Sequence, residues 1–209
     1  MKRNYTIDTL RTIATLLVIL LHVSAGYVIS GMNNATYDKS FWIGNILDSF
    51  SRICVPIFVL ISGRFLLGRN ETFKQSYKKR ASKIFIPIIV WTLIYLMYRG
   101  MLGYRAHNII DITTLVKSVI LGKPFYHMWY LYMLIGLYLV TPILNNNIPK
   151  ISRQSLWWAS VLLLVLGVVN SAYNRILGIS PIFILWFVNY LGYFILGFLI
   201  KDSNKKLCN

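Results

Sequence analysis

Apolar runs, each bounded by basic or polar positions, recur along the whole of this 209-residue chain. A helix needs about 20 mostly apolar residues to cross the hydrocarbon core of a bilayer. Six stretches reach or approach that length, at residues 9–29, 43–67, 84–98, 125–144, 155–173 and 179–200. The first follows Lys2 and Arg3, includes Arg11, and contains Val23-Ser24-Ala25, a small-residue pattern of the kind found at secretory cleavage sites. Its length, its His22 and the further spans behind it predict an uncleaved anchor helix instead. The second span is unusual, with Asp48, Ser49, Ser51 and Arg52 in its outer half and Pro56 in its middle. Asp48 and Arg52 are spaced i,i+4 and can pair on one face. Residues 109–121 repeat apolar positions at helical spacing but are too short to span and include Asp111 and Lys117. That stretch predicts an amphipathic helix lying at the membrane surface. The pattern as a whole predicts an all-α, polytopic transmembrane helical bundle of about six spans.

Composition agrees. Only 13% of residues are charged against 56% hydrophobic, and a soluble domain carries roughly a quarter charged. The net charge of +16, from 22 Lys and Arg against 6 Asp and Glu, raises nucleic acid as a partner. Here, however, the basic residues sit between apolar runs rather than on one folded face, so no nucleic-acid partner is expected. Lys and Arg in short loops mark the cytoplasmic side. With the N-terminus inside, they favour that side by about two to one, and both termini are predicted to be cytoplasmic. The two cysteines, Cys54 in an apolar run and Cys208 near the end, make neither a disulfide framework nor a metal site.

Ionisable groups inside a membrane are costly and are candidates for function. Arg11 and His22 are eleven residues apart, which places them some 20° from a common helical face and roughly 16 Å apart along the axis. Asp8, Thr15 and Gly26 lie within about 40° of the same stripe. A polar line running from the cytoplasmic interface towards mid-bilayer suits the entry of a ligand. His22 can equally be read as a hydrogen-bonding group between helices. A second feature is the basic stretch Lys74, Lys78, Lys79, Arg80 and Lys83, read as a cytoplasmic loop after the second span. It is suited to phosphate by charge and hydrogen bonding, or to orienting the chain near anionic lipid. A third is His127-Met128-Trp129-Tyr130-Leu131, where Trp and Tyr match an interfacial aromatic belt. Asp48 and Arg52 are read either as a structural ion pair or as part of an outward-facing site. No phosphate loop, dinucleotide fingerprint or nucleophile elbow is present.

Ile7-Asp8-Thr9-Leu10-Arg11 followed by His22 resembles the opening of the acyltransferase 3 family of bacterial multi-pass membrane proteins. Arg52-Ile53-Cys54-Val55-Pro56-Ile57-Phe58 through Ile61-Ser62-Gly63 is similar to that family's second-helix signature. Arg80-Ala81-Ser82-Lys83-Ile84 with Pro87 resembles its Arg-x-x-Arg stretch, and Tyr193 to Gly197 a later Tyr-x-x-x-Gly element. His127 to Leu131, with Leu137-Tyr138 and Pro142, also matches. Lys83 departs from the pattern, replacing a bidentate guanidinium by a point charge.

The resemblance implies one acyltransferase domain over residues 1–209, shorter than is usual in the family and so read as a short or C-terminally truncated member. It implies transfer of an acyl group, often acetyl, from acyl-CoA to a hydroxyl of a cell-surface saccharide or lipid-linked glycan. No tightly bound cofactor or metal is expected. His22 is then the catalytic candidate, as general base or as transient acyl carrier. Arg11, Arg80 and Lys83 become donor-binding candidates, and Asp8, Asp48, Arg52, His127 and Trp129 supporting ones. The alternatives are a transporter of an acyl compound or polysaccharide, and an inactive truncated member. The expected location is the cytoplasmic (inner) membrane.

Overall fold

The computed structural model describes residues 4–105, 111–122, 125, 127–178 and 186–206, with residues 81–82 and 202–206 as backbone only. Lys2, Arg3, His107, Ile109, Lys123 and Cys208 lie outside these residues, as do positions 179–185 of the sixth predicted span. The described chain forms eight α-helices: α1 (Tyr5–Asn33), α2 (Lys39–Ser51), α3 (Cys54–Leu66), α4 (Phe73–Arg105), α5 (Ile112–Ile120), α6 (Trp129–Asn147), α7 (Arg153–Leu177) and α8 (Val188–Lys206). Five segments are long and apolar enough to cross a membrane, with α2 and α3 together making one of them. Within α8, Val188–Lys201 is a shorter apolar helix. The architecture is a polytopic helical bundle. The chain divides into two compact units, one of Met1–Phe65 with Leu196–Asn209, the other of Leu66–Ile195.

In the first unit, Asn4 caps α1 by accepting the Ile7 N–H at 3.3 Å. The helix then runs unbroken through its apolar sequence. It turns at Asn34 and at Ala35, whose φ is 52°, and Asp38 caps α2 by accepting the Phe41 N–H at 2.9 Å. The two helices approach closely because Gly44 faces the Tyr27 side chain, where an added Cβ would lie 2.9 Å from the Tyr27 Cβ. The second predicted span proves to be two helices. The break falls at Arg52 and Ile53 rather than at Pro56, because Pro56 sits in the first turn of α3, where its missing N–H has no intrahelical partner to lose. Gly197 of α8 meets the backbone of Leu60 so closely that a Cβ there would stand 2.0 Å from the Leu60 carbonyl oxygen.

In the second unit, Gly68 takes a left-handed φ of 69° just after α3. Asn145 of α6 closes this end, its Nδ2 donating to the Leu66 carbonyl at 3.1 Å and its Oδ1 accepting the Gly68 N–H at 2.9 Å. Helix α4 is longer than the predicted span at 84–98 and takes in the stretch read as a loop. Lys, Arg and Gln are good helix formers, and Thr72 and Gln75 form a reciprocal capping box with both hydrogen bonds at 3.4 Å. The 33 residues of α4 extend roughly 50 Å, more than the hydrocarbon core. Its basic first third therefore continues the spanning helix beyond the apolar part. Helix α5 buries no residue, as expected of a surface helix, and is tied to α4 by Arg99 donating to Ser118 Oγ at 3.2 Å. Helices α7 and α8 meet at small residues. An added Cβ at Gly167 would lie 2.9 Å from the Asn189 carbonyl oxygen, and one at Gly192 2.8 Å from that of Ser160. Asn170 donates to Asn189 across the same contact at 2.9 Å. Gly178, with φ of 64°, ends α7 in the left-handed conformation common at helix C-termini.

Candidate functional site

Helix α1 carries the first candidate set. Its buried residues, Ile7, Ala14, Ser24 and Gly31, share one side of the helix. Arg11 and His22 sit roughly a third of a turn away from that side, and both are exposed, as are Thr15 and Gly26, with Asp8 half-buried. The stripe is thus continuous along an unbroken helix. Hydroxyls along it are satisfied locally, Thr12 donating to the Asp8 carbonyl at 3.1 Å and Thr15 to that of Arg11 at 2.8 Å. The Arg11 guanidinium carbon lies 5.1 Å from the centroid of the Phe65 ring, a cation–π contact that holds the N-terminal end of the stripe.

The basic stretch is organised by a residue that sequence reasoning passed over. Glu71 is the only acid between Arg64 and Lys83, a stretch with seven basic residues. It directly precedes the capping box, next to the positive end of the α4 dipole. Its carboxylate accepts from Lys79 Nζ at 3.1 Å and from Arg80 Nη2 at 3.0 Å, with Arg69 Nη1 at 3.7 Å. Burial pushes the Glu71 carboxyl up. The Lys79 hydrogen bond and the charges of Arg80, Lys79 and Arg69 outweigh it and hold the group below its usual range. Arg80 is buried, and its Nη1 is bound to Ser76 Oγ. Its Nε is enclosed without a partner among the described residues. Lys83 is exposed and forms no ion pair with a described residue. The signal for Glu71 was visible as a lone carboxylate in a positive run, whereas Ser76 and Asn145 gave none.

The remaining candidates divide between the units. Asp48, buried on α2, accepts from Arg52 Nε at 2.9 Å and Nη2 at 2.5 Å, while the Arg52 side chain is 70% exposed. His127 packs edge-on to Tyr95 at 4.8 Å and to Phe125 at 5.2 Å between ring centroids. Trp129 faces Trp186 at 6.1 Å and Tyr190 at 5.9 Å. Arg11, His22, Asp8, Asp48 and Arg52 belong to the first unit. Arg80, Lys83, His127 and Trp129 belong to the second.

The chain is similar to known proteins over most of its length. A "Serine/alanine racemase" of Enterococcus gallinarum is 23% identical over 194 residues, 86% of this chain and 25% of its own length. An "Amino-acid racemase" of Enterococcus faecalis is 25% identical over 177 residues, 81% of this chain and 22% of its own. A "Glucans biosynthesis protein C" of Salmonella heidelberg (strain SL476) is 23% identical over 220 residues, 93% of this chain and 57% of its own. The chain therefore spans about a quarter of the racemase-named relatives and little more than half of the glucan-biosynthesis one. No solved structure matches it significantly. The family model described as an acyltransferase domain matches residues 4–209, and the chain belongs to the acyltransferase 3 family.

Proposed function

We propose that the chain is the membrane part of an O-acyltransferase that moves an acyl group, often acetyl, from acyl-CoA to a saccharide hydroxyl. The observation that carries this reading is the stripe on α1, which sets an exposed His22 on one face with an exposed Arg11 roughly 16 Å away along the axis. A CoA thioester is a polyanion with a narrow arm. Arg11 at the cytoplasmic end suits its phosphates, and His22 suits the reacting carbonyl.

In the direct route His22 accepts the acceptor hydroxyl's proton as the oxygen attacks the thioester carbonyl. The carbon–sulfur bond then breaks and the CoA thiolate leaves, to be protonated. In the covalent route the imidazole attacks the thioester carbonyl and expels the CoA thiolate, and the hydroxyl oxygen then displaces the imidazole from the acyl carbon as its proton passes to the released ring. Both need an imidazole nitrogen with its lone pair available to a proton or an acyl carbon. Lys83 is free to meet a phosphate, whereas Arg80 reaches one only in exchange for Glu71, a carboxylate occupying the same kind of anion position. The name of the Salmonella relative supports a glucan as the acceptor class. The test is purified protein in vesicles, supplied outside with acyl-labelled acyl-CoA and glycan. Label esterified to glycan supports the reading, and label carried across the vesicle wall without esterification would instead favour transport.

A further inference from the structure

A cavity of about 320 Å³ lies within the first unit, away from the Arg11–His22 stripe. Its walls are Leu10 of α1, Ile57, Leu60 and Ile61 of α3, and Gly197 and Ile200 of α8. Its polar lining is confined to Asn4 and Thr6 at the start of α1 and Arg64 near the end of α3. Two chain segments, the start of α1 and the end of α3, thus supply the polar lining, and the rest of the wall is apolar.

The sequence spacing explains the shape. Ile57, Leu60, Ile61 and Arg64 fall at i, i+3, i+4 and i+7 and share one face of α3. From Ile57 to Arg64 the face extends roughly 10 Å. The close approach of Gly197 to the Leu60 backbone brings α8 in as the third wall. Arg64 is half-buried and makes neither a hydrogen bond nor an ion pair with any described residue. A cation at a membrane helix end with no partner among the described residues calls for an anion. An apolar trough of that length calls for hydrocarbon. At roughly 30 Å³ per water-sized group, the cavity holds about ten chain atoms in line, which also matches the roughly 10 Å of its α3 wall.

We propose that this cavity is a binding site for one acyl chain of an anionic phospholipid, with the lipid phosphate against Arg64. The net charge of +16 favours an anionic over a zwitterionic headgroup. The polar end lies beside the N-terminus of α1, the side that the Lys and Arg distribution assigns to the cytoplasm, so the lipid comes from the leaflet on that side. The inference does not rest on the acyl-transfer reading and stands or falls separately from it.

The test uses the full chain in nanodiscs containing phosphatidylglycerol with a photoactivatable group in one acyl chain. Labelled peptides are then mapped. The expected result is saturable labelling of the segments 4–10 and 57–64. Arg64→Gln should lower it by about tenfold or more, the loss typical of a hydrogen bond to a charged group. Leu10→Trp, at a partly exposed wall position, should block it by filling the trough while keeping Arg64. The same labelling in both variants would mean ordinary surrounding lipid and overturn the proposal. Displacement of the label by acyl-CoA, but not by excess unlabelled phosphatidylglycerol, would overturn it too, by assigning the cavity to a soluble thioester. Helix content by circular dichroism separates loss of the site from loss of the fold.

Discussion

The Glu71 carboxylate lies 3.0 Å from Nη2 of Arg80, two helical turns into α4, and both side chains are at most 10% exposed. Together with Lys79, Arg69 and Ser76 this pair ties the segment between α3 and α4 to the basic third of α4. Removing one partner of a buried pair leaves the other charge uncompensated, at about 3–5 kcal/mol.

Glu71→Gln should therefore lower the melting temperature of the purified protein clearly, by about 3 kcal/mol in stability. The double variant Glu71→Gln/Arg80→Met should recover most of that loss, because no unpaired charge remains. A double variant less stable than Glu71→Gln alone would contradict the assignment of Glu71 as Arg80's counterion.

The pH dependence follows with a definite sign. The folded-state pKa of Glu71 is depressed, so its contribution is complete above the ordinary Glu value of about 4.3. It is lost as pH falls from there through the depressed folded value. The difference in melting temperature between wild type and Glu71→Gln should be constant from neutral pH to about 5 and shrink below about 4. A difference that instead grew on acidification would contradict it.

What the sequence made legible was set by how local each feature is. The α1 span, the amphipathic α5 and the Asp48–Arg52 spacing are all written in neighbouring residues and can be read directly. The basic start of α4 reads as a loop because its charges hide the helix, although the Thr72–Gln75 capping box is present in the chain. The Asn145 clamp on Leu66 and Gly68 links residues almost eighty positions apart, and no local pattern announces it. Gly197 stood out as part of a Tyr-x-x-x-Gly element. Its physical reason, the Leu60 carbonyl, could be found only from the packed helices. Around the candidate site, the shared face of Arg11 and His22 was legible from helical arithmetic alone. The burial of Arg80 and its engagement by Glu71 were not.

Gly197→Ala tests that helix contact. The new Cβ would meet backbone rather than a flexible side chain, so α8 must move away from α3. Overpacking of this kind costs about 1–3 kcal/mol, and the loss should appear as a lower melting temperature in detergent. Gly26→Ala is the control, since nothing lies within 4 Å of a Cβ there. Equal stability of both variants would remove the close approach.

The Lys and Arg bias predicts that the start of α4 faces the cytoplasm and the α1–α2 turn faces outward. Single cysteines replacing Lys74 and Asn34, both exposed, report this in a background without Cys54 and Cys208. An impermeant thiol reagent added to intact cells should label position 34 and spare position 74. The reverse pattern would invert the topology and move Arg11 to the outer end of its stripe.

The most direct measurement is the rate of CoA release from acyl-CoA, in membranes holding the native acceptor, for wild type against His22→Ala. General acid–base catalysis contributes about 10²–10⁴-fold. The predicted result is a loss at least that large, with helix content and CoA binding retained. Full activity in His22→Ala would contradict the catalytic assignment.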